Sequence, residues 1–147
     1  MAGATIAVAS DHAGFDLKEI LKRDLQQAGH EVLDLGTNST ASVDYPDYGA
    51  AMADAIASGK AERGVLVCGT GIGISIAANR NPKVRAALVH DVTSARFSRE
   101  HNDANVVAFG ARVIGSETAR EALKVFLATQ FEGGRHAARV AKLCKGQ

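Results

Sequence analysis

Five short, mostly apolar runs, Ile6-Ala9, Val32-Leu35, Val65-Cys68, Ala86-Val89 and Val106-Phe109, the second carrying Asp34, constrain the fold more than any other feature of the chain. None alternates apolar with polar residues, so each reads as a strand buried on both faces, as in a parallel sheet. Helical spacing fills the gaps: Leu17, Ile20, Leu21, Leu25 and Ala28 after the first run, Tyr48, Met52, Ala55 and Ile56 after the second, and Ala119, Ala122, Leu123, Phe126 and Leu127 after the fifth. Strand and helix therefore alternate. That pattern predicts a Rossmann-like, doubly wound α/β sheet of about five parallel strands with helices on both faces and right-handed crossovers. Beyond Gly133-Gly134 the apolar positions Ala137, Val140, Ala141 and Cys144 predict a final helix with Cys144 on its packed side.

The 147 residues suit a single domain, 1–147, with a core large enough to need no disulfide or metal staple. Seventeen basic against sixteen acidic residues leave no global field for nucleic acid or an anionic membrane, so any anion site must be local. The amino terminus has no basic region before its short apolar run, which predicts a cytoplasmic protein without a signal or membrane span. Cys68 and Cys144 stand alone, which argues against a disulfide framework or a paired-cysteine zinc site. The longest stretch without periodicity, 36–44, is a candidate lid.

In open parallel sheets, ligands gather beyond the carboxyl ends of the strands. Those positions here carry Ser10-Asp11-His12-Ala13-Gly14, Cys68 with a glycine loop, His90-Asp91, and Gly110-Ala111-Arg112. Asp11 is either a helix cap or a site acid. Cys68 is either an inert core thiol or a reactive one, since it ends a strand just before a helix start, where main-chain N–H groups and the helix dipole favour thiolate. Gly69, Gly71 and Gly73 follow a G-x-G-x-G spacing, with Ile74 where a dinucleotide fingerprint keeps its third glycine and with no Walker lysine. Asp91 lies at about the distance expected of a ribose-binding acid in that fingerprint, but the loop follows the third strand rather than the first. Such a loop instead suits a phosphate, a carboxylate or a developing oxyanion, and Thr70 adds a hydroxyl.

Arg135 and Arg139 are four residues apart, so a helix starting after Gly134 carries both on one face, either to grip a phosphate or as a solvated surface pair. His136 beside them adds little. His101 and Asn102 close the polar segment Arg99-Asp103 before the fifth strand, at the amino edge of the sheet. If His101 acts on substrate, it must reach the cleft of a neighbouring subunit.

The motifs SDHAGF, DYPDY, CGTGIGISIAAN, REHNDANVVAFGARV and EGGRHAARV occur in that order. Together they make the sequence closely resemble, over nearly its whole length, the type B ribose-5-phosphate isomerases, of the sugar-phosphate isomerase family that includes lactose-pathway galactose-6-phosphate isomerases. The resemblance implies a metal-free and cofactor-free aldose–ketose isomerase of the pentose phosphate pathway. It would interconvert D-ribose 5-phosphate and D-ribulose 5-phosphate through an enediolate, as a homodimer with a shared active site or as a tetramer. It also implies the roles. Cys68 is the base that moves a proton between C2 and C1, supported by Thr70; His101 is the ring-opening acid; Asp11 holds sugar oxygens. Gly69, Thr70, Gly71, Ile72, Gly73 and Asn102 line the oxyanion, while His12, Arg112, Arg135 and Arg139 bind substrate, chiefly its phosphate. Tyr45 lines the sugar pocket. One branch of the family takes its base from a glutamate just after the loop; Ile74 occupies that position here, which leaves the role to Cys68. The other readings are an isomerase of a six-carbon phosphosugar, allose 6-phosphate or galactose 6-phosphate, and a phosphosugar-binding module without catalysis.

Overall fold

The structure is a computed structural model and describes residues 3–145. The elements alternate as the apolar runs predict: β1 (Thr5–Ser10), α1 (Phe15–Gln27), β2 (Glu31–Asp34), α2 (Tyr45–Ala57), β3 (Arg63–Cys68), α3 (Ile72–Ala78), β4 (Ala86–Leu88), α4 (Val92–Glu100), β5 (Val106–Gly110), α5 (Ser116–Ala128) and α6 (Arg135–Leu143). The strands form one sheet in the order β2-β1-β3-β5-β4, and every pairing is parallel.

Period-two alternation along the strands splits the core between the faces. Ile6, Val8, Val65, Val67, Val107 and Phe109 pack under α1, α4 and α5, through Leu17, Leu21, Ala95, Leu123 and Phe126. Ala7, Ala9, Leu66, Cys68, Val106 and Ala108 pack under α2 and α3, through Met52, Ala53, Ile74 and Ala78. Burial on both faces is the reason the central strands β1, β3 and β5 read as apolar runs, whereas the edge strands β2 and β4 are only partly buried.

A charged group lies inside this apolar frame. Lys18 on α1 is fully buried, and its Nζ donates to both carboxylate oxygens of Asp34 at 2.9 Å. Lys22 and the Gly36 N–H donate to the same carboxylate, each at 2.9 Å. Burial alone would raise the Asp34 pKa; the hydrogen bonds from Lys18, Lys22 and Gly36 overcome it and hold the group below its ordinary value of 3.8.

One expectation fails. Cys144 is exposed at the carboxyl end of α6, not packed, and of the stripe Ala137, Val140, Ala141 and Cys144 only Val140 is buried. The helix rests instead on His136 and Val140, a narrower contact than the four-residue stripe suggests. Arg85 Nη1 reaches the Cys144 sulfur at 3.3 Å, which lays the end of α6 beside the amino edge of the sheet. Among the described residues, no helix is long and apolar enough to cross a membrane.

Candidate active site

The chain runs from β1 outward to β2, then returns across β1 to β3, so the order reverses between β1 and β3. A crevice opens at such a reversal, outside the carboxyl ends of the strands. Register pairs Ser10 with Val67, which sets Asp11 level with Cys68 on the neighbouring strand, about 4.8 Å away in the sheet. The Asp11 N–H donates to the Val67 carbonyl at 3.3 Å and fastens the two strand ends together. Asp11 is not the α1 cap residue, a position Gly14 holds; its buried carboxylate accepts the Gly14 N–H at 3.1 Å across the turn. Beneath it, the buried Ser10 hydroxyl has no hydrogen-bond partner.

His12 follows in that turn, with the Val43 N–H 3.1 Å and the Val43 carbonyl 3.2 Å from the same ring nitrogen, Nδ1. A main-chain N–H can only donate, so it sets Nδ1 as the acceptor and leaves the ring proton on Nε2. The same contact ties the segment between β2 and α2 to the site.

Cys68 ends β3 almost fully buried, 4% exposed, and its sulfur accepts the Gly71 N–H at 3.1 Å. Gly71 has φ +77°, and a Cβ there would meet Leu88 Cδ1 at 2.6 Å and the Phe109 carbonyl carbon at 2.9 Å, so only glycine can turn the chain back to bring its N–H onto the sulfur. Gly73 allows the exposed Tyr45 ring to lie against the start of α3: a Cβ at Gly73 would fall 2.5 Å from that ring. Thr70 Oγ1 accepts the Ile72 N–H at 3.2 Å. The end of β5 joins the same group, since Ala111 and Arg112 donate N–H to the carbonyls of Cys68 and Gly69, both at 2.9 Å, and the Arg112 guanidinium lies across Gly69. Asp11, His12, Tyr45, Cys68, the loop 69–73 and Arg112 thus converge at one end of the sheet. Asp91 does not join them as a ribose ligand; it caps α4 by accepting the Ser94 N–H at 2.6 Å.

The remaining predicted residues lie at the opposite end. His101 closes α4, and Asn102 follows it in the turn leading to the start of β5. Gly110 pairs with Cys68, so the run from Val106 to Gly110 alone puts about 13 Å of strand between the Cys68 end and the turn that carries His101. Arg99 braces this turn: Nη1 donates to Asp103 Oδ1 at 2.8 Å and to the Ala104 carbonyl at 2.7 Å, and Nε to the Thr129 carbonyl at 3.1 Å. The Glu132 N–H donates to the Glu100 carbonyl at 3.1 Å, docking the tail against the end of α4. From there α6 sets out with Arg135 and Arg139 both exposed.

Glu132, which the sequence reading did not single out, and His136, which it set aside, sit here. His136 stacks on His101 with ring centroids 4.5 Å apart, and Phe97 covers the other side of His101 at 4.7 Å. Glu132 faces both imidazoles, Oε1 lying 3.9 Å from His101 Nε2 and 3.6 Å from His136 Nε2. Burial, with His101 and Arg135 nearby, lowers the His136 pKa from its ordinary value of 6.5, against the opposing pull of Glu132. The four-residue step from Glu132 to His136 was the available signal, obscured by the intervening glycines.

A parallel α/β domain with an acid, a thiol, a glycine loop and an arginine at its switch point defines a small-molecule site of the doubly wound class. A family profile described as Ribose/Galactose Isomerase matches residues 6–143, and the chain belongs to that family. It is 48% identical over 135 residues to ribose-5-phosphate isomerase B of Escherichia coli, covering 92% of this chain and 91% of that one. It is 45% identical to the D-erythrulose-4-phosphate isomerase of Pectobacterium atrosepticum, covering 95% and 92%. Among solved structures it is similar to ribose-5-phosphate isomerase B of Clostridium thermocellum, with TM-score 0.94, 48% identity and 95% of each chain covered. The Thermotoga maritima ribose 5-phosphate isomerase gives TM-score 0.93 and 49% identity, covering 95% and 97%. The protein is an enzyme, a sugar-phosphate isomerase.

Proposed function

We propose that the chain, acting as one domain, interconverts D-ribose 5-phosphate and D-ribulose 5-phosphate in the cytoplasm, as a homodimer whose two sites are each shared between subunits. The observation that carries this reading is Cys68, held at the switch point with the Gly71 N–H on its sulfur, in a chain 48% identical to a ribose-5-phosphate isomerase B. In this mechanism His101 of a second copy protonates the ring oxygen while the anomeric hydroxyl gives up its proton and the furanose opens to the aldehyde, and Asp11 holds the sugar hydroxyls. The Cys68 thiolate then takes the C2 proton, leaving an enediolate; as the hydroxyl proton shifts from O2 to O1, the Cys68 thiol returns its proton to C1 to give the ketose, with Thr70 beside it. A carbon acid this weak needs donors where negative charge grows; the amides of loop 69–73 and Asn102 take that role. His12, Arg112, Arg135 and Arg139 bind the phosphate, and Tyr45 lines the sugar pocket.

The opposed placement of the two groups supports sharing: a second copy turned end to end brings His101, Asn102, Arg135 and Arg139 to the Cys68 crevice. A four-carbon substrate is favoured by a different observation, the 45% identity to a D-erythrulose-4-phosphate isomerase. Side-by-side assays on ribose 5-phosphate, erythrulose 4-phosphate, allose 6-phosphate and galactose 6-phosphate decide the substrate. The pentose is expected to give the highest kcat/KM, and a higher value for a tetrose or hexose would overturn the assignment.

A further inference from the structure

We propose that His101, Glu132 and His136 form an inhibitory binding site for a divalent transition-metal ion of the zinc class. One ring nitrogen of each histidine and a carboxylate oxygen of Glu132 all lie within 4.8 Å of one another, and Glu132 Oε1 is 3.6 Å from His136 Nε2 and 3.9 Å from His101 Nε2. Bonds of about 2.1 Å in a tetrahedral arrangement set donor atoms about 3.4 Å apart, so a contraction of a few tenths of an ångström brings the carboxylate and each imidazole to ligand spacing. Both spacings exceed hydrogen-bond length, so neither Nε2 is committed to donating a proton to Glu132.

Backbone contacts hold the three donors in place. Glu132 N–H donates to the Glu100 carbonyl at 3.1 Å, His101 N–H to the Phe97 carbonyl at 2.9 Å, and His136 N–H to the Gly133 carbonyl at 3.0 Å. The two imidazoles stack with their planes 20° apart, so an ion bound by both must tilt them away from each other. Two imidazoles and one carboxylate suit zinc, nickel or copper rather than magnesium or calcium, and three protein ligands leave one position open. The ion is an inhibitor here, not a cofactor: it takes the imidazole nitrogen that the proposed ring opening needs. The inhibitory part rests on that assignment of His101, whereas the binding part does not.

Calorimetric titration with zinc chloride tests the site in a Cys68→Ala/Cys144→Ser background, which removes both thiols as competing ligands. One zinc per chain is expected. Glu132→Gln and His136→Asn should each weaken it by at least about tenfold, and magnesium should give no heat. Melting curves recorded without metal confirm that each variant is folded, and His101→Asn replaces either one that is not. No saturable zinc binding, or binding that survives all the folded variants unchanged, would overturn the site. Wild-type turnover should fall with the same midpoint as binding, and Glu132→Gln should need at least about tenfold more zinc for the same fall, whereas an equal fall in that variant would overturn inhibition through His101 and move it to Cys68. Stoichiometric binding with full activity would keep the site and overturn inhibition through His101.

Discussion

Arg99→Met is expected to lower stability by about 3 kcal/mol. The guanidinium is 3% exposed and makes three hydrogen bonds, two to main-chain carbonyls and one to the Asp103 carboxylate, at 2.7 to 3.1 Å. Hydrogen bonds to a charged group contribute about 1.5 kcal/mol or more each, so the three together are worth roughly 4.5 kcal/mol. Methionine keeps an apolar stem of similar length but loses the guanidinium carbon's place 5.9 Å from the Phe126 ring centroid, while hydration of the Asp103 side chain, itself 32% exposed, recovers part of the loss. A net loss near 3 kcal/mol corresponds to a fall of about 9 °C in Tm for a chain of this size. Asp103, left without its partner, sits at φ +47°, so the turn that carries His101 should loosen as well. Thermal and urea denaturation, with turnover measured in parallel well below the new Tm, should show both a lower midpoint and a lower kcat. A change below about 1 kcal/mol would refute the idea that Arg99 braces this turn.

Gly71→Ala places a Cβ in a left-handed conformation against Leu88 and the Phe109 backbone, so a loss of about 2–4 kcal/mol is expected from urea unfolding, with turnover abolished as the Gly71 N–H leaves the Cys68 sulfur. Wild-type stability and wild-type activity in that variant would remove the loop from the mechanism. Asp34 titrates below 3.8 in the folded protein, so its contribution is complete above pH 3.8 and disappears as pH falls through the lower folded value. The stability gap between wild type and Asp34→Asn should accordingly be constant from neutral pH down to about 4.5 and shrink below 3.8, and a gap that widened in acid would contradict the Lys18–Asp34 assignment.

The sheet was legible because burial on both faces leaves the central strands with no polar alternation, and all five runs, the partly buried edges β2 and β4 included, became strands of one parallel sheet. Cys68, Asp11 and the glycine loop were legible by the same logic, since strand order and register gather whatever follows each strand. Lys18 was not. It stands beside Leu17 on α1, and its burial depends on Asp34 arriving from β2. Glu132 and His136 escaped for a similar reason: their partner His101 is about 30 residues away, brought to them by the Glu132–Glu100 backbone contact. Cys144 was misplaced because helical spacing identifies a face without saying whether anything covers it, and α6 buries only His136 and Val140.

The most direct test of the shared site mixes two inactive variants, Cys68→Ala and His101→Ala, under conditions of proven subunit exchange. Each mixed dimer would carry one site with both residues intact, so an equal mixture should recover about a quarter of wild-type activity. No recovery in dimers shown to be mixed would contradict the account and confine the chemistry to one chain.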